Sequence, residues 1–135
     1  MATFKRFEEI QSWQKARELA REIYRLTGDG PFSRDFGLRD QIRRASVSMM
    51  ANVAEGFGRG GNKEFVAFLS IARGSGAEVK SHLYIAADAG LIERADFNRL
   101  YSLTDEAEGL ISGLMKYLAA SAARGRKFAG PNPQP

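Results

Sequence analysis

Apolar residues recur every three or four positions along most of this chain, whereas no segment of useful length alternates apolar and polar residues. The spacing is that of helices with one buried face, so it predicts an all-α fold. Four helices are expected, bounded by glycines and capping residues. They run from about Phe7 to Thr27, from a cap at Ser33 to about Phe57, from a cap at Asn62 to Gly90, and from Asp96 or a neighbour onward.

Short connections between long helices favour antiparallel neighbours, so the pattern predicts an antiparallel up-down four-helix bundle. The residues expected to face its core share apolar character and helical spacing. They are Ile10, Trp13, Ala16, Leu19 or Ala20, Ile23 and Leu26; Leu38, Ile42, Ala45, Met49 and Val53; Phe65, Phe68, Leu69, Ala72, Val79, Leu83 and Ala86; and Leu100, Leu103, Ala107, Leu110, Leu114 and Leu118.

Residues 1–123 are expected to form the bundle as one domain, and residues 124–135 a disordered tail rich in basic residues and proline. Three of the 20 basic residues, Arg124, Arg126 and Lys127, lie in the tail, which leaves 17 against all 16 acidic residues in the bundle. The bundle therefore carries a charge of +1. Phosphate binding would need its basic residues to be gathered on one face.

The composition is typical of a globular domain, with 44% hydrophobic and 27% charged residues. No apolar run approaches the roughly 20 residues that cross a bilayer, and the N-terminal residues lack a secretory signal. Cysteine is absent, so the chain offers neither disulfides nor thiolate metal ligands. We therefore expect a cytoplasmic protein with no membrane partner.

A polar stripe borders the apolar face of the second helix and consists of Gln41, Arg44, Ser48, Asn52, Glu55 and Arg59. Long polar side chains at a core boundary need partners or water, because burying them unpaired is costly. If the second and third helices pack antiparallel about Gly60, Arg44 lies near Ser75 and Glu78. Such a contact would either set the helix register or turn Arg44 toward an external phosphate.

The turn between these helices, GFGRGGNKE, combines glycines with Arg59, Lys63 and a helix N-terminus, where unpaired amides attract anions. A P-loop would place a lysine directly after its last glycine and would follow a strand, and neither feature is present. We interpret the segment as an interhelical turn, with a nucleotide site as the alternative. Gly74 and Gly76, inside the third helix, are expected to allow close helix approach, with a kink or a bound ligand as alternatives.

Residues for catalysis or metal binding do not assemble into a recognisable group. Glu78 and His82 lie one helical turn apart and could share a metal, but His82 is the single histidine. A ferritin-like di-iron bundle needs a Glu-x-x-His pair from each of two helices. No serine or cysteine nucleophile with a base can be assembled. We expect no enzyme activity, no metal and no cofactor.

Two segments, QIRRASVSMMANVAEGFGR and KEFVAFLSIARGSGAEV, resemble the four-helix-bundle family of 23S ribosomal RNA intervening-sequence proteins. The resemblance spans about Phe7 to Leu118 and rests most on Gln41, Arg43, Arg44, Ser48, Asn52, Glu55, Gly56, Arg59, Glu64, Phe68, Leu69, Gly74, Ser75 and Glu78. It implies an antiparallel four-helix bundle that assembles as a homopentamer. Relatives include the accessory protein of diversity-generating retroelements, which implies nucleic-acid or reverse-transcriptase partners, although a bundle charge of +1 departs from their strongly basic surface.

The residues support two functional hypotheses. The first is a non-enzymatic, oligomeric RNA-associated protein whose basic stripe contacts phosphates through Arg43, Arg44, Arg59 and Lys63. In this hypothesis the remaining polar residues of the stripe, and those facing it on the third helix, have a structural role. They are Gln41, Ser48, Asn52, Glu55, Ser75 and Glu78. The second is a protein-interaction scaffold whose stripe packs subunits or holds a protein partner, such as a reverse transcriptase or a ribonucleoprotein.

Overall fold

The computed structural model describes residues 4–124, and these residues contain helices and no strand. A 3₁₀ turn at Phe7–Glu9 precedes α1 (Gln11–Leu26). The short helix α2 (Gly30–Arg34) leads into α3 (Phe36–Gly58), which is followed by α4 (Asn62–Asp88) and α5 (Arg94–Arg124). The predicted all-α class is confirmed. The predicted tail, residues 124–135, lies outside the described residues except for Arg124, where α5 ends.

The four long helices pack with antiparallel neighbours, as their cross-helix bonds show. Between α3 and α4, the Ser48 and Ser75 hydroxyls are 2.9 Å apart. Between α4 and α5, Lys80 bonds to Glu108 and Arg73 to Ser112, so residue numbers fall on one helix as they rise on the other. Between α1 and α5, Arg99 bonds to Glu22 and Lys15 lies 3.7 Å from Glu106. These directions are those of an up-down bundle.

The core lies between the four long helices and is built from the apolar faces that the spacing predicts. Its largest fully buried side chains are Phe32, Phe65, Ile10, Leu19, Ile23, Ile42, Met49, Leu69, Leu83, Leu100, Ile111 and Leu118. Five of the expected inward residues are only half-buried, namely Trp13, Leu26, Leu38, Phe68 and Leu110. On α5 the buried residue is Ile111 rather than Leu110, because Ile111 lies one turn after the buried Ala107.

The helix starts differ from the predicted caps. Ser33 does not cap the second long helix, because Phe32 is pulled into the core and the chain forms the separate helix α2. Asp35 then breaks the helical path, and its carboxylate accepts the Leu38 N–H at 3.1 Å, which makes it the cap of α3. A short acidic side chain so placed satisfies an amide that has no partner within the helix.

A second predicted cap is wrong, and the start of the last helix lies slightly earlier than Asp96. Asn62 is the first residue of α4 rather than its cap, which is the extended Gly61. The Asn62 amide instead donates to the Leu118 carbonyl oxygen on α5, at 3.5 Å. The last helix begins at Arg94, two residues before the expected Asp96. For Asn62, a carbonyl group on a distant helix supplies a partner that the sequence does not reveal.

The predicted stop at Gly90 is confirmed in its geometry. Gly90 has a φ of 75°, a conformation that favours glycine, and it follows α4 by two residues. The Leu91 N–H donates to the Ala86 carbonyl oxygen and the Gly90 N–H to that of Ala87. This pair of bonds is a Schellman motif, which satisfies carbonyl groups at the end of a helix.

Ion pairs join α5 to both of its neighbours. The Lys80 ammonium on α4 bonds to Asp105 and Glu108, the latter at 2.6 Å, and only 19% of the Lys80 side chain is exposed. Burial by itself lowers the pKa of Lys80, but these two hydrogen bonds outweigh burial and hold the pKa above its usual value. Glu22 on α1 accepts from Arg25 at 2.6 Å and from Arg99 at 2.5 Å. The contact of α5 with α4 and its contact with α1 therefore each contain oppositely charged side chains that are hydrogen-bonded to each other.

Within residues 4–124, no helix combines the length and apolar character needed to cross a bilayer.

Glycines allow α3 and α4 to approach closely. A Cβ on Gly56 would lie 2.7 Å from the Phe68 Cβ and 3.0 Å from a Phe65 ring carbon. A Cβ on Gly76 would lie 2.7 Å from a Glu108 carboxylate oxygen on α5 and 2.8 Å from the Met49 Cε on α3, so the expected close approach is confirmed there. Gly74, by contrast, is exposed and a Cβ would meet nothing within 4 Å. The expectation for Gly74 is wrong, because it lies on the outer side of α4.

We predict opposite effects of alanine at two of these glycines. Gly74→Ala should raise the free energy of unfolding by about 1 kcal/mol, because alanine is the better helix former and has room. Gly56→Ala should lower it by roughly 1–3 kcal/mol, because the added methyl group overlaps side chains that are held in the core. Urea unfolding at one protein concentration compares them. A destabilised Gly74→Ala variant would contradict the solvent-facing placement.

Candidate nucleic-acid interface

Arg43 occupies the seam between α1 and α3 and is held there in one orientation. Its Nε donates to the buried Thr27 hydroxyl at 2.7 Å, and that hydroxyl donates to the Ile23 carbonyl oxygen at 2.7 Å. The Arg43 guanidinium carbon lies 4.3 Å from the centre of the Tyr24 ring. Among the described residues no carboxylate pairs with Arg43. The side chain is therefore positioned while its charge is not neutralised.

Two more arginines extend this basic seam along α1. Arg17, Arg21 and Tyr24 are spaced i, i+4, i+7 and so share one face of the helix. Arg17 lies over the half-buried Trp13 ring at 5.7 Å, and Arg21 is exposed. Neither has an ion-pair partner among residues 4–124. We call Arg17, Arg21 and Arg43 the α1–α3 arginine row.

The sequence pattern predicts only one member of this row as a phosphate contact. Arg43 was among the predicted phosphate contacts, whereas Arg17 and Arg21 were not. The signal for them was present, because both lie outside the apolar stripe of α1 at a spacing of one turn. The sequence does not show that α1 lies beside Arg43, because only the packing of the helices brings the two together.

Arg44 does not make the contacts expected of it. Its side chain is exposed, and no described residue forms a hydrogen bond or ion pair with it. Ser75, one of its two expected neighbours, bonds to Ser48 instead. The predicted register was close, but Ser48 rather than Arg44 points into the α3–α4 contact. Arg44 therefore remains an unneutralised surface cation one residue from Arg43.

Arg59 and Lys63 lie at the opposite end of α3 from Arg43. Sixteen residues separate Arg43 from Arg59, which is about 24 Å along a helix axis. Arg59 bonds to Glu55 at 2.9 Å and lies over the Phe68 ring at 4.9 Å, so its charge is already paired. Lys63 is exposed in the first turn of α4 and has no ion pair among the described residues. The four predicted phosphate contacts thus form two separate groups.

The glycine-rich turn has the geometry of a connection between helices. Gly60 has a φ of 89°, which reverses the chain after α3, and Gly61 is the extended cap of α4. Glu64 lies in the first turn of α4, and its carboxylate oxygen is 2.5 Å from where a Gly61 Cβ would be. An acidic side chain already occupies this helix N-terminus, where an anion would otherwise bind. The geometry favours the interhelical turn.

The remaining stripe residues are divided between the helix contact and the surface. The Asn52 amide donates to the Ser48 carbonyl oxygen at 2.8 Å and to the Ser48 hydroxyl at 3.0 Å, and Ser48 pairs with Ser75. Gln41 and Glu78 are exposed, and Glu55 is tied to Arg59. The hydroxyl and amide network thus joins α3 to α4.

His82 is half-buried on α4, with its Nε2 3.8 Å from a Glu78 carboxylate oxygen. That nitrogen has no hydrogen-bond partner in the described part of the chain. Across residues 4–124, no group of three or more histidine or acidic side chains is placed to hold a metal ion. The geometry at His82 is that of a single long contact with Glu78.

Large apolar side chains are exposed on the outer surfaces of α3 and α4. Val47 is 39% exposed, Ile71 53% and Ile85 55%. Ile71, Glu78 and Ile85 lie two turns apart on one face of α4, and Arg44 precedes Val47 by one turn on α3. We call Val47, Ile71 and Ile85 the α3–α4 apolar patch. The Glu78 carboxylate lies between its two α4 members.

Comparison with known proteins agrees with this architecture. The family model for 23S rRNA-intervening sequence proteins matches residues 8–113. A crystal structure of a protein of unknown function from the S23 ribosomal protein family of Bacteroides thetaiotaomicron is similar in fold, with a TM-score of 0.71. The two chains are 22% identical, and the match covers 78% of this chain and 98% of that one. No curated protein is significantly similar to the chain.

We predict that the Ser48–Ser75 pair stabilises the α3–α4 contact. Ser48→Ala and Ser75→Ala should each lower the free energy of unfolding by about 1 kcal/mol, because each leaves the partner hydroxyl with one bond fewer. In a double-mutant cycle the two losses should be less than additive. Losses that add fully would show that the two hydroxyls do not interact.

Proposed function

The chain belongs to the family of 23S rRNA-intervening sequence proteins, and from this premise we propose that it is a non-enzymatic, oligomeric RNA-binding protein of the cytoplasm. One observation carries the proposal, the α1–α3 arginine row of Arg17, Arg21 and Arg43. These three cations share a seam and have no carboxylate partner in the described part of the chain. Unpaired guanidinium groups on one surface are suited to backbone phosphates.

The mode of binding follows from the side chains in the row. Arg43 is fixed by Thr27 and Tyr24, so its Nη groups are presented at little further entropic cost. Arg44 lies beside it and is also unneutralised. Lys63 offers a second contact at the far end of α3, whereas Arg59 is the weaker candidate because Glu55 holds it. Contacts of this kind bind RNA with little dependence on its sequence.

Few contacts per subunit make assembly important. Three or four phosphate contacts give modest affinity at physiological salt, and symmetric copies raise it through effective concentration. The α3–α4 apolar patch supports self-association, because Val47, Ile71 and Ile85 expose apolar surface on two neighbouring helices. A neighbouring subunit could bury this surface and pair its charges. The resemblance noted above implies five subunits.

A second candidate function is a protein-interaction scaffold, and the same patch favours it. The patch could be covered by a protein partner, such as a reverse transcriptase or a ribonucleoprotein component, instead of by another subunit. In that case the arginine row would be dispensable for partner binding. Capture of the partner that survives nuclease treatment and high salt would favour the scaffold.

We predict that the arginine row sets the salt dependence of RNA binding. Arg17→Gln combined with Arg21→Gln should make the slope of log affinity against log salt shallower by about 1.4 to 1.8, because two phosphate contacts are lost. Both residues are exposed, so helix content should not change. Filter binding of a structured RNA across a salt series measures the slope.

The matched control is Arg94→Gln combined with Lys116→Gln. These cations are also exposed and lie on α5, away from the row, and the substitution removes the same charge. The control should bind like the wild type. An equal loss in both pairs would show that net charge rather than the row drives binding, and no binding by the wild type at low salt would overturn the proposal.

We predict that Val47→Ser combined with Ile71→Ser disrupts assembly. The wild type should sediment as an oligomer at micromolar concentration, and the variant as a smaller species with unchanged helicity, because the apolar contact is lost. Tyr84→Ser is the control, since Tyr84 is 54% exposed on the part of α4 that contacts α5. A monomeric wild type would contradict the oligomeric part of the proposal.

A further inference from the structure

Two aromatic side chains are exposed beside arginines at one end of the bundle. Tyr24, near the end of α1, is 46% exposed, and Phe36, the first residue of α3, is 64% exposed. The guanidinium carbon of Arg43 lies 4.3 Å from the centre of the Tyr24 ring, and that of Arg39 lies 4.8 Å from the centre of the Phe36 ring. Each arginine covers part of a ring and leaves much of it open to solvent.

The two rings belong to one continuous surface. Phe36 and Arg43 are seven residues apart, so they lie on the same face of α3, about 10 Å apart along its axis. Tyr24 faces Arg43 across the seam with α1. Along α3 this surface runs from Phe36 through Arg39 to Arg43, and Tyr24 of α1 adjoins Arg43.

The charges around this surface leave Arg43 as its main cation. Arg39 bonds to Asp40 at 2.9 Å and to the Ser33 carbonyl oxygen at 3.1 Å, so its charge is paired while its guanidinium group covers part of the Phe36 ring. Arg43 has no carboxylate partner, and Arg34 at the end of α2 is exposed without an ion pair among the described residues. Asp35, next to Phe36, caps α3 through its carboxylate and has no ion pair in the described part of the chain, so an anionic ligand is favoured at the Arg43 end of this surface.

Aromatic faces beside a cation match the chemistry of unpaired nucleotides. Proteins that bind single-stranded RNA stack bases on aromatic side chains and place cations at the phosphates between them. Bases in a duplex are already stacked on each other and are not open to such contacts. The arrangement therefore selects unpaired RNA over duplex RNA.

We propose that Tyr24 and Phe36 each stack on an unpaired base of RNA, while Arg43 contacts the phosphate between them. This inference rests on the proposed RNA-binding function and specifies its ligand as single-stranded segments, such as loops or bulges. It adds a contact that does not depend on salt to the salt-dependent contacts of the arginine row.

The test compares two RNA probes and a set of neutral substitutions. The probes are a hairpin with an unpaired loop and a fully paired duplex of equal length. Tyr24→Leu and Phe36→Leu should each weaken hairpin binding by about 5- to 150-fold, the range expected when one stacked base is lost. The salt slope should not change, because no charge is removed. Phe36→Tyr should retain affinity, since it preserves the aromatic ring.

The control is Tyr84→Leu, which removes an equally exposed ring that packs with Phe97 and Tyr101 instead. It should bind the hairpin like the wild type. A 2-aminopurine in the loop should be quenched by the wild type and less so by Tyr24→Leu or Phe36→Leu, which reports stacking directly.

The outcomes separate this inference from the proposed function. If the leucine variants bind like the wild type while the arginine pair weakens binding, stacking is wrong and phosphate binding stands. Equal affinity of the wild type for hairpin and duplex would also overturn stacking. If the wild type binds neither probe at low salt, both proposals fail.

Discussion

The close approach of α3 to α4 is the constraint on which the rest of the bundle depends. Gly56 has no room for a Cβ beside Phe68 and Phe65, so the two helices meet at a distance that only glycine allows there. The hydrogen bond between Ser48 and Ser75 then fixes their register. Since α3 also packs against α1, this register decides which α3 side chains reach the α1 seam and which reach the outer surface.

The distribution of ion pairs explains how a nearly neutral bundle acquires a basic surface. Acidic residues are used where α5 meets its neighbours, in the bonds of Glu108 with Lys80 and of Glu22 with Arg99. The α1–α3 seam contains arginines held by a hydroxyl and by aromatic rings instead. A local excess of positive charge therefore arises without a large net charge, which is what phosphate binding needs.

The two proposed surfaces are carried mainly by different helices and meet on α3. The arginine row lies between α1 and α3, whereas Ile71 and Ile85 of the apolar patch lie on α4; Val47 follows Arg43 by one turn on α3. A ring built through the patch would repeat the row once in each subunit. Weak contacts repeated by symmetry give an affinity that a single subunit lacks.

The sequence alone determined the all-α class, the number of long helices and most of the core, because the spacing of apolar residues shows which face of each helix is buried. It also determined the helix stop at Gly90, since a left-handed residue there requires glycine. Tertiary structure decided the features that need a partner from a distant segment. Ser33 lost its cap role because Phe32 is buried, and Asn62 turned to Leu118 on α5. Arg43 is held in its orientation only because α1 places Thr27 and Tyr24 beside it, and such contacts leave no mark on the periodicity of either helix.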